Sequence, residues 1–434
     1  MLFMQEVLFF FSLAWQFISA WWWLFLPFLL IKPVIYLWLF WRIETFALQQ
    51  RFILLEIKMP EDAPRPFKAM EDVFAGFWQM HDPANPREKW LEGKYQLSLA
   101  LEMISTEGDI HFYLRIPEGM QKLVESAVWA HYPSAELELA KDYTKQIPQD
   151  IPNKEWELWG TSYVLERPSP YPIRTYTKFF EPTATDKEEM RIDPMALLVE
   201  GLSRLGKGEH LWIQFVLTPI LHTNPQESRM VEEGREIVAE IVKRPPAPKP
   251  KKLIEDIGTV SKTLATGQAE TPKEEYREII PPEMRLTPGE RDIVSGIEEK
   301  ISKYSFRAHS RFIYIAKREN YFGPSKALAM SWFTQFGTAT YNNFRPLRPT
   351  LTKVYTIFTW FLDKRRVFVR KRRLFRNYTM RLSPYFPKPG GTFVLNIEEL
   401  ATIFHFPGRI TTASSAVVRV GSKKGEAPSG LPTE

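Results

Sequence analysis

The densest chemical feature of the chain is a run of cations. Lys364, Arg365, Arg366, Arg370, Lys371, Arg372, Arg373 and Arg376 place eight positive charges within thirteen residues. Such a density repels itself unless something anionic lies close by. Nucleic-acid phosphate, the anionic leaflet of a membrane, an acidic face of a partner protein and the acidic remainder of this chain all fit. Val367, Phe368, Val369, Leu374 and Phe375 interrupt the run, so a structured element is expected rather than a loose tail. The interleaved aromatic rings suit base stacking and suit a core equally well.

The other chemistries lack their residues. A phosphate-cradling loop needs G-x-x-x-x-G-K-[ST], and the sequence has none. Gly206-Lys207-Gly208 and Gly421-Ser422-Lys423-Lys424-Gly425 lack both the spacing and the terminal hydroxyl. The seven His residues are dispersed without H-E-x-x-H spacing, so a metal site would have to be assembled by folding alone. His111 alternates with apolar residues and is expected to be an exposed strand histidine. Glu398, Glu399 and His405 share a segment, yet Asn396 with Glu399 three residues on fits a helix cap and its capping-box partner better than a hydrolytic pair. No G-x-S-x-G elbow occurs. The absence of Cys removes disulfides, thiolate metal sites and cysteine nucleophiles together. No catalytic, cofactor-binding or metal-ligating residue is assigned on these grounds, and no intrinsic ATPase activity is expected.

At 434 residues the chain is long enough for about three folded units. Its net charge of +6 is mild, but the distribution is not. Ser302 to Arg381 carries 18 basic and 2 acidic residues, a local +16, which leaves −10 for the rest. With 44% hydrophobic and 14% aromatic residues the chain can bury real cores, which excludes wholesale disorder.

Val7 to Ile31 is an uncharged stretch of 25 residues, and about 20 suffice to cross a bilayer as a helix. Met1 to Glu6 holds no Lys or Arg, unlike a cleaved signal peptide. Trp21, Trp22, Trp23, Trp38 and Trp41 suit a membrane–water boundary. Pro27 and Pro33 are expected to kink or end the helix. The stretch from Pro33 to Trp41 is too short to span again and is read as an interfacial extension. A tight membrane hairpin is the alternative. Lys32, Arg42, Arg51 and Lys58 follow the span, so the positive-inside rule places the body on the cytoplasmic side of a single-pass protein of the cell membrane.

The body reads as α+β. Tyr95, Leu97, Leu99, Leu101 and Met103 alternate, as do Ile110, Phe112, Leu114 and Ile116, with Glu107-Gly108-Asp109 between: a hairpin. Met120, Leu123, Val124, Ala127 and Val128 have helical spacing, and Ala135, Leu137 and Leu139 alternate again. Tyr163–Leu165, Thr175–Phe180 and His210–Leu217 are expected as strands. Asp193-Pro194 opens a helix facing Leu198, Leu202 and Leu205 inward, closed by Gly206. KRPPAPKPKK at 243–252 reads as an extended spacer. Phe312–Ile315 is strand-like, and Gly323-Pro324 introduces a helix with Leu328, Trp332 and Phe336, echoing the earlier strand-then-helix order. The expected fold class is therefore a transmembrane helix followed by two α+β blocks of ferredoxin-like type with antiparallel sheets. The divisions are a membrane anchor at 1–51, a first α+β domain at 52–240 and a Pro-rich, charged linker at 241–290. A second α+β block bearing the basic segment follows at 291–390, then a capped helix and tail at 391–434.

The segment Phe393-Val-Leu-Asn-Ile-Glu-Glu-Leu-Ala-Thr-Ile-Phe-His405-Phe-Pro407, followed by Ser422-Lys-Lys-Gly-Glu-Ala-Pro428 and Gly430-Leu-Pro432, resembles the stretch leading into the motor domain of HerA-like and conjugative coupling ATPases of type IV secretion. Phe52-Ile-Leu-Leu-Glu-Ile-Lys58-Met-Pro60 and Lys68-Ala-Met-Glu-Asp-Val-Phe74 resemble the membrane-proximal part of such proteins. The family continues into its P-loop motor where this sequence reaches Glu434, so hydrolysis is not carried over. The resemblance implies a non-catalytic component of a conjugation or type IV secretion-like machine, a membrane protein for DNA transfer that tethers a separate cytoplasmic P-loop ATPase. Leu400, Ile403, Phe404, His405, Phe406 and Pro407 are the motor-docking candidates. The alternative is a membrane-tethered nucleic-acid-binding protein using the 364–376 segment. Expected partners are membrane lipid, the ATPase and nucleic acid; a homo-oligomer is left open, and no cofactor is expected.

Overall fold

The computed structural model describes residues 2–60, 67–179, 193–222, 224, 227–242, 286–357, 359–382 and 391–406. The expected spacer at 243–252, Pro407 and the Ser422–Pro432 motif lie outside them. The chain divides into two compact units, one of residues 1–52 and 82–97, the other of 53–81 and 98–434.

In the first unit, helix α1 (Leu2–Gln49) runs as one helix of 48 residues through Pro27 and Pro33. The second half of α1 carries the segment 82–97, whereas the alternation from Tyr95 onward predicts that this segment belongs to the body. Trp38 donates its indole N–H to Trp90 O at 2.9 Å, and Phe46 meets the edge of Tyr95. Among the described residues no helix is long and apolar enough to cross a membrane. The transmembrane anchor expected from the sequence is therefore not shown. From Leu29, where side chains are described without a break, Lys32, Arg42 and Glu44 interrupt the apolar run; most side chains of the uncharged Val7–Ile31 stretch lie outside the described residues.

The second unit is built on one nine-stranded sheet. Its elements are β1 (Phe52–Lys58), α2 (Phe67–Trp78), β2 (Leu99–Thr106), β3 (Asp109–Pro117), α3 (Gln121–His131) and β4 (Glu136–Leu139). There follow β5 (Trp156–Leu165), α4 (Ala196–Ser203), β6 (Glu209–Ile220), α5 (Met230–Val242), α6 (Pro288–Ser302) and β7 (Ser305–Lys317). The chain ends its described course with α7 (Lys326–Thr334), β8 (Phe344–Pro346), α8 (Asp363–Thr379), β9 (Phe393–Asn396) and α9 (Ile397–Ile403). The sheet order is β4-β1-β3-β2-β6-β7-β5-β8, with β9 also on β7. The first half, β1 to β4, is a βαββαβ run, and the second, β5 to β8, is the same run with α5 and α6 inserted between β6 and β7. Numbering strands within each run turns the order into 4-1-3-2 followed by 2-3-1-4, so the second run mirrors the first and the two join edge to edge through β2 and β6.

The α+β class with antiparallel pairing is as expected, but the two blocks share one sheet. β6 lies before the 241–290 segment and β7 after it, yet they pair along their whole length, from Glu209↔Ala316 to Ile220↔Ser305. The hairpin expected at Glu107-Gly108 is present. Glu107 and Gly108 both take positive φ, 56° and 99°, the left-handed geometry that a tight two-residue turn requires. Thr175–Phe179 is not a strand. Tyr176–Lys178 is a short 3-10 turn, because the Tyr176 N–H is taken by Thr402 Oγ1 at 2.9 Å rather than by a neighbouring strand.

Alternation along the strands sends side chains to two cores. Leu101, Met103, Ile213, Phe215, Phe312 and Tyr314 pack on one face beneath residues of α2, α3, α4, α7 and α9. Ile104, Leu158, Trp212, Ile313 and Ile315 pack on the other beneath α8 and the 143–151 segment. At Gly160 on β5 a Cβ would clash with the Phe312 carbonyl oxygen of β7 and lie 2.9 Å from Leu374 Cδ2 of α8, so the glycine lets both β7 and α8 come close to the strand. α5 and α6, inserted between β6 and β7, form a third cluster around Val238, Val242 and Ile297.

Candidate functional site: a cationic helix pinned across the sheet

The basic run is helical, as its interrupted pattern implied, and period 3.6 divides it into two faces. Inward, Leu374, Phe375 and Tyr378 are buried on the sheet. Three of the eight cations also turn inward. Arg366 donates to Thr359 Oγ1 at 2.6 Å and to Asp363 Oδ1 at 3.2 Å. Arg370 donates to the carbonyls of Arg348 and Leu351 at 3.1 and 3.0 Å. Lys371 meets Glu157 Oε1 at 2.7 Å. Burial alone would raise the Glu157 carboxyl, but the Lys371 hydrogen bond, the Leu158 N–H and the charges of Lys371 and Arg318 outweigh it and hold the group below the usual carboxylate range.

The other five, Lys364, Arg365, Arg372, Arg373 and Arg376, are exposed, and their side chains make no hydrogen bond or ion pair with a described residue. The Arg372 guanidinium lies 5.1 Å from the Phe368 ring centre. So the acidic remainder of the chain accounts for part of the run, and a row of cations remains on the outer face.

The helix is held at its far end by a buried network that sequence reasoning missed. Arg381, at φ 53°, grips Glu102 of β2 with Nε and Nη2 at 2.9 and 3.1 Å. Its Nη1 reaches Asp142 at 2.6 Å. The Glu102 carboxylate also accepts from Tyr143 Oη at 2.8 Å and from Gln214 Nε2 of β6 at 2.7 Å. Arg311 of β7 donates to the carbonyl of Leu382. Burial lowers the Arg311 guanidinium to about 10, with the nearby Tyr378 and Glu102 opposing that shift. Burial works against the charged form of Arg381 as well, but Glu102 and Asp142 outweigh it and raise the group. α8 is thus fastened to β5 through Lys371, to β6 through Tyr378 and Gln214, and to β2 through Arg381. A Glu on a strand opposite an Arg 279 positions later leaves no local signal.

The motor-docking candidates lie elsewhere. The capping box forms as expected: Asn396 Oδ1 accepts the Glu399 N–H at 2.8 Å and Glu399 Oε2 accepts the Asn396 N–H at 2.9 Å. The helix is not an available surface, however. Leu400, Ile403, Phe404, His405 and Phe406 are all buried in the chain's own core. Glu399 Oε1 accepts from Lys300 Nζ of α6 at 3.0 Å, both side chains being fully buried. Burial pushes the Glu399 carboxyl up and the Lys300 amine down, and each partner's charge resists the shift of the other. His405 bridges the Ala401 carbonyl and Asp193 Oδ1 at 3.0 and 2.8 Å, a core histidine with both nitrogens occupied. Glu398 is taken by Lys303, so Glu398, Glu399 and His405 serve three different partners. His111 is half-buried against Tyr113, with Nδ1 2.6 Å from Glu56, not freely exposed. Among the described residues no group of three or more His, Asp or Glu could hold a metal ion.

No protein-family model matches the chain, and no curated protein matches it either.

Proposed function

We propose that the chain is a membrane-anchored, non-catalytic component of a conjugation or type IV secretion-like machine, and that it tethers a separate cytoplasmic P-loop ATPase. In this reading each βαββαβ run is a ferredoxin-like unit, α1 is the single-pass anchor with the body on the cytoplasmic side, and residues 407–434 meet the motor. Exposed apolar side chains along the described part of α1, Leu29, Val34, Leu37 and Trp41 among them, support the anchor. The observation that carries the tether is the burial of α9. All seven of its residues are buried, and Glu399 is fixed by its capping box and by Lys300. A partner gripping the segment that follows Phe406 would therefore be coupled to the core of the sheet domain. Docking is assigned to that segment and not to Leu400, Ile403 or Phe404.

The test is co-purification with a P-loop ATPase encoded beside this protein. The full chain should retain the ATPase, and a chain ending at Phe406 should lose it while keeping its unfolding midpoint. If the shortened chain retains the ATPase equally well, the tether reading is wrong. The nucleic-acid reading uses the outer face of α8.

A further inference from the structure

The outer face of α8 joins an exposed apolar turn. Immediately before the helix, Tyr355 is 82% exposed, Ile357 87%, Trp360 72% and Phe361 65%. On the helix Phe368 and Val369, and at its C-terminal end Met380, are exposed among the five cations that no described residue holds by a hydrogen bond or ion pair. Such a density of large apolar groups facing water is a mark of an interaction surface. From Arg345 to Leu382 the chain carries twelve cations and one carboxylate, Asp363. That carboxylate is already occupied by Thr356 and Arg366, whose hydrogen bonds hold it below its usual range. Nothing acidic in this stretch is left to repel an anionic surface.

Two anionic surfaces could attract these charges, and the apolar groups decide between them. Bases stack on π faces, which Ile357, Val369 and Met380 do not have. A lipid interface accepts aliphatic and aromatic groups alike: aliphatic chains enter the acyl boundary, Trp and Tyr settle at headgroup level, and Lys and Arg extend to the phosphates. We propose that this face is a peripheral membrane contact, in which Tyr355, Ile357, Trp360, Phe361 and the outer stripe of α8 lie in the headgroup region of an anionic leaflet. The proposal adds a lipid contact to the membrane-anchored reading and does not depend on the ATPase tether.

The absence of Cys supplies the test. In the full chain, Phe361→Cys gives a unique site for an environment-sensitive nitrobenzoxadiazole label, and Lys122→Cys on α3 gives a control. Both proteins are reconstituted into vesicles of phosphatidylcholine, with or without phosphatidylglycerol. The label at 361 should shift to the blue and be quenched by spin-labelled lipid only when phosphatidylglycerol is present, while the label at 122 stays solvent-like. Reversing the charge of Arg365, Arg372 and Arg373 to Glu should cut the lipid-contacting fraction at least about tenfold, whereas replacing all three by Lys should keep it, since a leaflet reads charge rather than guanidinium geometry. Flotation of the vesicles reports the anchor separately and should be unchanged in every variant. A label at 361 that stays solvent-like in both lipids overturns the proposal. So does a label shielded by single-stranded DNA but not by lipid, which would give the face to nucleic acid.

Discussion

Buried His309 shows how one side chain can couple this sheet to pH. Its Nδ1 lies 2.7 Å from the Gly391 carbonyl, so the neutral ring donates from that nitrogen. Burial first, and then the charge of the adjacent Arg311, lower the imidazole to about 3 against the opposing hydrogen bond to the Gly391 carbonyl. An unfolded histidine titrates near 6.5, so below that pH the unfolded chain binds a proton that the folded chain refuses. The stability is complete above about pH 6.5 and is lost progressively as pH falls toward about 3, at about 1.4 kcal/mol per pH unit. His309→Asn can keep the bond to Gly391 and cannot titrate. Urea unfolding at pH 7 and pH 5 should show the wild type losing about 2 kcal/mol more than the variant over that interval. Equal losses would assign the pH sensitivity to other groups. At this scale the sequence was informative only where partners are neighbours: Asn396 and Glu399 announce their capping box, whereas His309 and Gly391, or Glu102 and Arg381, meet only through the sheet.

Elements were legible where a periodic pattern runs long enough. The hairpin of β2 and β3 stands where alternation placed it, except that β2 begins at Leu99 and not at Tyr95. The helices α3 and α7 and the capped start of α9 follow helical spacing or a cap, whereas α4 begins at Ala196 without a side-chain cap and ends at Ser203, not at Asp193 and Gly206. What the pattern left open for α9 was which surface its apolar side would meet. Leu400, Ile403 and Phe404 are as apolar in a docking helix as in a core helix, and the structure assigns them to the chain's own core. A truncation after Pro389 therefore removes more than a tail. It takes away buried Phe393, Leu395, Leu400, Ile403, Phe404 and Phe406, each worth about 1.5–3 kcal/mol, against a total domain stability of about 5–15 kcal/mol. It also leaves Lys300 buried without its carboxylate, which is costly by itself. Such a chain should lose its cooperative unfolding transition by calorimetry, whereas a chain ending at Phe406 should keep it. A cooperative transition near the full-length midpoint in the shorter chain would show that β9 and α9 are dispensable to the fold.

At the scale of the whole molecule, the mirrored halves make one sheet whose centre, β2-β6-β7, draws on distant segments: β2 ends at Thr106 and β6 begins at Glu209, and β6 ends at Ile220 while β7 begins at Ser305. α8 lies across that centre on the face opposite the other sheet-packed helices, which explains why a segment so rich in charge also carries Leu374, Phe375 and Tyr378. The anchor belongs to this scale as well. If α1 holds the protein in a membrane, alkaline carbonate extraction should leave the full chain in the pellet, and protease added to intact cells should leave the region after Arg51 uncut. Release into the carbonate supernatant would rule the anchor out.

By itself the sequence determined what depends on near neighbours: the α+β class, the antiparallel hairpin, the capping box of Asn396 and Glu399, an N-terminal helix and the concentration of positive charge at 364–376. These follow from side-chain period, turn residues and local charge, which act over a few positions. Only the tertiary structure decided that the two blocks share one sheet, which cations are consumed by Glu157, Asp363 and backbone carbonyls, and that α9 is core. Each of these is a choice of partner across a long stretch of chain. Burial and ion pairing depend on which distant surface arrives, and an apolar or charged side chain has the same letter whether it meets solvent, lipid or the far side of its own sheet.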